Sequence, residues 1–100
     1  MKTNFGKTLK KIRKIKGLRQ EDVEAAAGMD HRVYSETEND KNNATLATLE
    51  KVSNGFNIPL AVIFWLGMDE DSIPKDHKKH EFLMVKQKID AMFNNLYDLN

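Results

Sequence analysis

The amino-acid sequence predicts an all-α fold, and three observations lead to this prediction. Apolar residues recur at spacings of three and four, as on one face of a helix, and no useful length of chain alternates with the period of two typical of β-strands. Gly17, Gly28 and Pro59 lie where such periodic segments end or begin. Apolar residues make up 40% of the 100-residue chain, which is enough for one modest helical core.

Three helices are predicted in the first forty residues. The first has a single apolar stripe, formed by Phe5, Leu9, Ile12 and Ile15. Gly17 ends this helix, and a second, shorter one extends from about Gln20 to Ala27, where Gly28 provides a left-handed stop. The third begins only three residues later, with Asp30 as its N-cap.

Two more helices complete a predicted domain of residues 1–66. Thr45 caps the fourth helix, whose apolar residues are Leu46, Leu49, Val52 and Phe56. Pro59 suits the first turn of the fifth helix, which extends to Leu66.

Residues 67–75 are predicted to be a linker, because acidic residues, glycine, serine and proline replace the apolar periodicity. A C-terminal helix is predicted within residues 76–100, from about Asp76 to Leu99. Its apolar stripe has the three-four spacing of a coiled-coil seam and consists of Phe82, Val85, Ile89, Met92, Leu96 and Leu99. The stripe either folds back on its own domain or pairs with a second copy, and the narrow seam favours a homodimer.

The net charge of +1 conceals an asymmetry along the chain. The segment from Met1 to Gln20 contains eight cations and no acidic residue, whereas residues 67–100 contain seven acidic residues and five lysines. The basic end is therefore expected to meet a polyanion. A solvated, lysine-rich helix face is the simpler alternative.

The second and third helices, joined through Gly28, have the arrangement in which a helix is held out from a domain and laid in the major groove of DNA. The residues most typical of such a domain are Phe5, Gly6, Leu9, Ile12, Arg13, Gly17, Leu18, Gln20, Glu21, Val23, Ala26 to Gly28, Ser35, Glu38, Lys41, Thr45, Leu46, Thr48, Leu49, Ile58 and Leu60. On these residues, positions 5–66 resemble the phage repressor and Cro family of helix-turn-helix domains, also called the xenobiotic-response-element family.

The resemblance implies a five-helix, lambda-repressor-like domain, to which this chain adds the C-terminal helix. It also implies a transcriptional regulator that binds double-stranded DNA sequence-specifically, as a homodimeric repressor on an inverted-repeat operator. The residues implied to face base edges are His31, Arg32, Val33 and Glu36. Those implied to contact phosphates are Arg19, Gln20, Asn39, Lys41 and Asn43. Arg13 and Glu38 are implied to form a structural ion pair.

Four positions depart from the family pattern. Arg19 replaces the usual serine or threonine cap, and Thr37 replaces a large apolar residue on the buried side of the third helix. Asp40 stands where glycine is usual, at a position that requires positive φ, and Ala44 replaces a common proline. Together with Glu36 they give a recognition surface that is less basic than usual.

The sequence offers no catalytic residues, because it has no nucleophile–base pair, glycine-rich phosphate loop or carboxylate dyad. It has no cysteine, and His77 and His80 lack a third ligand, so neither a metal nor a cofactor is expected. The longest apolar run, Leu60 to Leu66, is too short to span a membrane, and no signal peptide is visible. A cytoplasmic, nucleoid-associated protein is expected.

Two alternative functions use the same fold. The first alternative is an antitoxin, which blocks a cognate toxin and also autoregulates its operon. The second is a protein-interaction module in which the C-terminal helix binds the partner. The eight cations in the first twenty residues argue against a loss of DNA binding.

Overall fold

The structure is a computed structural model that describes residues 5–41 and 44–100. Its helices, in chain order, are α1 (Phe5–Ile15), α2 (Gln20–Ala27), α3 (His31–Glu38), α4 (Leu46–Phe56), α5 (Leu60–Gly67) and α6 (Lys79–Leu96). One 3-10 turn, Glu70–Ser72, lies between α5 and α6, and the described ranges contain no strand. The predicted all-α fold, with five helices and a C-terminal helix, is confirmed.

The first five helices enclose one apolar core. Its buried side chains are Leu9, Ile12, Val23, Tyr34, Leu49, Val52, Phe56, Ile58, Val62 and Ile63. On α1 and α4 these residues recur every three or four positions, which turns one stripe of each helix inward and leaves the lysines of both helices in solvent. Helix α2 packs mainly against α4, and α1 packs against both α3 and α5.

A hydrogen bond between Gly6 and Asp40 joins α1 to the segment that follows α3. The backbone N–H of Gly6 donates to Oδ1 of Asp40 at 3.1 Å, and Asp40 has the positive φ, 56°, that this position was predicted to require. A Cβ atom on Gly6 would lie 2.5 Å from the carbonyl oxygen of Glu38, so only glycine permits this approach. This junction fixes the C-terminal end of α3 relative to α1.

The helix ends follow ordinary capping chemistry. The Thr45 hydroxyl accepts a hydrogen bond from the Thr48 N–H at 3.1 Å, as predicted for the N-terminus of α4. The Arg19 side chain does not accept a capping hydrogen bond at the start of α2, but the Asp22 carboxylate accepts one from the Arg19 N–H at 2.8 Å. Gly28 ends α2 at φ 66°, in the left-handed region.

Helix α6 is shorter than the predicted Asp76 to Leu99. Asp76 accepts a hydrogen bond from the N–H of Lys78 in a turn that precedes the helix, and Asp98 has a positive φ of 56° beyond its end. Between α5 and α6, Asp69 caps the 3-10 turn by accepting from the Ser72 N–H at 3.1 Å.

One face of α6 packs against the domain. The Phe82 ring lies 5.9 Å from the Trp65 ring, and Nζ of Lys86 lies 5.4 Å from the same ring. Lys86 is buried and also pairs with Asp90 at 3.1 Å. Phe93, in the last turn of α6, and Tyr97, the first residue after the helix, pack against the core.

A second face of α6 leaves apolar side chains in solvent. Val85, Met92 and Leu96 are 52%, 67% and 68% exposed, and Phe82 at the edge of this face is 37% exposed. These four residues, with the half-buried Ile89, are called the α6 stripe below. Leu99 was predicted to belong to the seam, but it is 3% exposed and lies in the core, because the chain turns back after α6.

No helix in the described part of the chain combines the length and the hydrophobicity needed to cross a membrane.

Candidate nucleic-acid interface

The helix-turn-helix unit consists of α2, the turn at Gly28 and α3. The N–H of Met29 donates to the Glu24 carbonyl at 2.9 Å, which closes the turn while Gly28 takes the left-handed conformation. Helix α3 begins two residues later and packs on both α1 and α2. The turn therefore holds α3 at the surface with one side available to a partner.

The inner side of α3 is built from Tyr34, Thr37 and Glu38, all of which are buried. Thr37 stands where the family has a large apolar residue, and its hydroxyl donates to the Val33 carbonyl at 2.8 Å, so its polar group is satisfied within the helix. Burial raises the pKa of the Tyr34 phenol, which stays protonated at neutral pH.

The ion pair implied for Arg13 and Glu38 is present and ties α1 to α3. Nη2 and Nε of Arg13 lie 2.8 and 2.9 Å from the two carboxylate oxygens, and the Glu38 side chain is 1% exposed. Arg13 also donates to the Leu18 carbonyl at 3.0 Å. Burial raises the pKa of Glu38, but interactions with Arg13, Tyr34 and Gln20 lower it by more, so this pKa lies below its ordinary value.

The outer side of α3 carries the residues implied to face base edges. His31, Arg32 and Val33 are exposed, and Glu36 lies beside them at intermediate exposure. The Arg32 side chain is 84% exposed, and its Nε donates to Oε1 of Glu36 at 3.1 Å. The structure thus leaves all four residues accessible on α3 and brings Arg32 and Glu36 into contact.

Glu24 is a member of this surface that the sequence reasoning missed. Its Oε1 lies 2.5 Å from Nδ1 of His31, and its side chain is only 11% exposed. Glu24 belongs to α2 and His31 to α3, so their contact depends on the angle between two helices. No spacing pattern in the sequence signals such a contact.

The residues implied to contact phosphates have different surroundings. Gln20 is half-buried, and its amide donates to Oε1 of Glu38 at 3.3 Å. Arg19 is exposed, and its Nε lies 3.5 Å from the Asp22 carboxylate. Asn39 donates to the Ser35 carbonyl at 2.8 Å, Lys41 is exposed, and Asn43 lies outside the described residues.

Within the described ranges, no three side chains of the kinds that bind metals lie together. What the surface offers instead is hydrogen-bond donors on a helix, flanked by cations. These groups match the acceptors of base edges and phosphates.

Comparison with known proteins agrees with this geometry. A family model described as helix-turn-helix matches residues 9–63, which is more than half of the chain. The "Control protein C.MunI" of Mycoplasma sp is 45% identical over 65 residues, which cover 64% of this chain and 88% of that protein. No solved structure gives a significant match.

The matched region contains the helix-turn-helix unit, helix α4, most of α1 and half of α5. It also contains the ion pair between Arg13 and Glu38. The resemblance to the phage repressor and Cro proteins is thereby confirmed. The chain belongs to the helix-turn-helix family of the xenobiotic-response-element type, and it is a DNA-binding regulator of transcription.

Proposed function

We propose that this regulator binds an inverted-repeat operator as a homodimer and represses transcription there. The observation that carries the proposal is that the chain presents two exposed surfaces of different chemistry. One is the polar outer side of α3, and the other is the apolar α6 stripe. The first suits DNA, and the second suits another copy of the chain.

In the proposed complex, α3 lies in the major groove and its outer side meets the bases. Arg32 is the principal reader, because its guanidinium can donate to O6 and N7 of one guanine. Val33, 40% exposed, is suited to contact a thymine methyl group, and His31 and Glu36 complete the base-facing surface.

Phosphate contacts flank this surface in the proposal. Gln20 and Arg19 stand at the start of α2, where backbone N–H groups favour an anion. Asn39, Lys41 and Asn43 follow α3 and contact the backbone on its other side. The exposed lysines of α1 add long-range attraction to a polyanion, because no acidic side chain precedes Glu21.

The α6 stripe supports the homodimer. Its residues have helical spacing, they lie beside the face that packs on the domain, and three of them are at least half exposed. An apolar row of this kind is stabilised when a second identical row covers it, and a two-fold axis is the simplest symmetry that achieves this. Two copies of α3 then present the same surface to two half-sites.

Repression in this proposal results from occupation of the operator by the dimer. A dimer that reads two half-sites covers about two turns of the duplex and denies that stretch to RNA polymerase. The relative from Mycoplasma sp carries the name "control protein", which supports a regulatory role.

The DNA surface is tested by selecting duplexes from a randomised library with the full chain. Affinities of variants are then measured on a selected duplex and on a scrambled one. Arg32→Ala should lose more affinity for the selected duplex, whereas Gln20→Ala should weaken both alike. Lys75→Ala, which removes an exposed cation outside the helix-turn-helix unit, is the control. Equal losses for Arg32→Ala on both duplexes would exclude Arg32 as a reader.

The dimer is tested by light scattering and sedimentation at micromolar concentration. Replacing Met92 and Leu96 together with aspartate should give a folded monomer with weak affinity for a half-site. Met84→Asp is the matched control, because Met84 is 51% exposed but lies on another side of α6. A monomeric parent chain, or a double variant that still dimerises, would contradict the role of the stripe.

Repression is tested by transcription in vitro from a promoter that contains the selected sequence. Addition of the protein should reduce the transcript. An increased transcript would assign the chain to activation instead.

A further inference from the structure

Arg32 and Glu36 form a pair on the outer side of α3, one helical turn apart. Nε of Arg32 donates to Oε1 of Glu36 at 3.1 Å, and the Arg32 side chain is 84% exposed while that of Glu36 is 36% exposed. The remaining four N–H groups of the guanidinium are on Nη1 and Nη2. The Glu36 carboxylate therefore accepts from Nε and leaves Nη1 and Nη2 to donate to a partner.

The contact changes what Glu36 is able to do at DNA. A carboxylate that reads a base directly accepts from N4 of cytosine and is otherwise repelled by phosphate. Oε1 of Glu36 already accepts from Arg32, and the guanidinium offsets its negative charge. Glu36 is thus placed to act on the arginine.

Orientation matters for an arginine at this position. A free arginine loses rotamer entropy when it is fixed, and bidentate recognition of guanine requires a fixed guanidinium plane. An exposed ion pair of this spacing is weak in water, but it is sufficient to favour one rotamer before the groove excludes solvent.

The same arrangement occurs a second time on this surface. The other donor at the start of α3, His31, lies against the carboxylate of Glu24 at 2.5 Å. Each of the two adjacent side chains at the N-terminal end of α3 thus has its own carboxylate partner. Two donors that each contact a carboxylate indicate a surface that orients its donor side chains at the expense of net positive charge.

We propose that Glu36 is a positioning residue, which holds Arg32 through Nε so that Nη1 and Nη2 meet one guanine. This inference rests on the proposed function of Arg32 as the base reader. It makes two linked statements: guanine discrimination depends on the acceptor oxygen of Glu36, and the negative charge of Glu36 lowers affinity for DNA of any sequence.

The test uses the full chain and a duplex selected from a randomised library, in which each guanine is replaced in turn by 7-deazaguanine, which lacks N7. For the parent chain, one guanine in each half-site should show a loss of roughly 5- to 100-fold on replacement. Three variants are compared on the same duplexes and on scrambled DNA: Glu36→Ala, Glu36→Gln and Arg32→Ala. Glu50→Ala, which removes an exposed carboxylate from α4, is the control for net charge.

Glu36→Ala should reduce the loss on 7-deazaguanine to about threefold or less, because Arg32 is no longer held, and should bind scrambled DNA more tightly than the parent does. Glu36→Gln retains an acceptor oxygen for Nε, so it should keep most of the guanine discrimination while also binding scrambled DNA more tightly. Circular dichroism verifies that each variant is folded.

Full guanine discrimination by Glu36→Ala would overturn the proposal, because Arg32 would then be oriented without the carboxylate. Equal loss of discrimination in Glu36→Gln and Glu36→Ala would show that charge acts instead of the acceptor oxygen. If Arg32→Ala retains full guanine discrimination, the assignment of Arg32 as reader fails, which is a distinct result.

Discussion

Gly6 occupies a position in α1 at which a single additional carbon has no room. A Cβ there would lie 2.5 Å from the Glu38 carbonyl and 2.7 Å from the Asp40 carboxylate. Gly6→Ala should therefore destabilise the protein by about 1–3 kcal/mol, as overpacking typically does, and it should weaken DNA binding because the end of α3 shifts. Urea denaturation measures the first effect.

Gly17→Ala is the matched control for this prediction. Gly17 has a positive φ of 68° but open space around its Cβ position, so alanine there costs only the backbone strain of about 1–2 kcal/mol. Helix α3 is untouched, and DNA binding should be retained. Loss of DNA binding in Gly17→Ala and not in Gly6→Ala would contradict this account.

The pair of Arg13 and Glu38 predicts a large loss from one substitution. Arg13→Ala leaves a carboxylate that is 1% exposed without its guanidinium, which should cost about 3–5 kcal/mol at neutral pH. Arg13→Lys keeps the charge without the bidentate geometry and should lose less. Urea denaturation of the three proteins measures the difference.

The same pair sets a pH dependence. The folded-state pKa of Glu38 is depressed, so its contribution is fully present above the unfolded-state value of about 4.3 and is lost as the pH falls through the folded-state value. The stability gap between the parent and Arg13→Ala should consequently narrow on acidification, as Glu38 becomes protonated in the two folded proteins. A constant gap from neutral pH to pH 3 would show that packing, not charge, accounts for the loss.

At the scale of the elements, Lys86 joins α6 to α5 through both its stem and its charge. It is buried, it pairs with Asp90 at 3.1 Å, and its Nζ lies 5.4 Å from the Trp65 ring. Lys86→Met keeps the stem and removes the charge, so stability should change by less than about 1 kcal/mol or should increase. Lys86→Ala loses the packing as well and should cost about 1–3 kcal/mol.

Thermal denaturation of the two Lys86 variants decides which part of the side chain holds α6 in place. Asp90 is 32% exposed and remains solvated when its partner is removed, which is why the methionine variant is expected to be tolerated. Equal destabilisation by methionine and alanine would assign the effect to the charge.

Helices were predictable where local chemistry determines them. The apolar spacing of α1, the Thr45 cap of α4 and the left-handed stop at Gly28 all act within a few residues. The 3-10 turn after Asp69 has a comparable local signal, an aspartate three residues before Ser72, but it was obscured by the loss of apolar periodicity.

Contacts between elements were harder to predict. Periodicity indicates that a helix has an apolar side, but it does not specify what covers that side, and so Leu99 was assigned to the seam although it lies in the core. The pair of Glu24 and His31 depends on the angle between α2 and α3, which spacing along the chain does not encode. The ion pair between Arg13 and Glu38 was anticipated only through the family resemblance.

For the whole molecule, the proposed dimer makes the spacing of half-sites a geometric quantity. Two copies of α3 related by a two-fold axis fit half-sites about 10–10.5 base pairs apart. Inserting about half a turn, five base pairs, at the centre of a selected operator should weaken binding of the parent chain by at least roughly tenfold, because the second half-site rotates to the opposite face.

The variant with aspartate at Met92 and Leu96 is the control for this measurement. As a monomer it binds each half-site independently, so the insertion should leave its weak affinity unchanged. A parent chain that tolerates the insertion would show that the two copies are not held in a fixed relation.

The contacts of Trp65 with α6 also provide an intrinsic fluorescence probe of the position of this helix. Trp65 is the one tryptophan of the chain, and Phe82 and Lys86 of α6 both lie against its ring. Its fluorescence emission therefore follows whether α6 remains seated on the domain, without any attached dye. The α6 stripe residues Met92 and Leu96 lie more than two helical turns from Phe82. Unseating of α6, read as a red shift in emission, is thus separable from dissociation of a dimer, read as a change in mass, during a single titration with DNA.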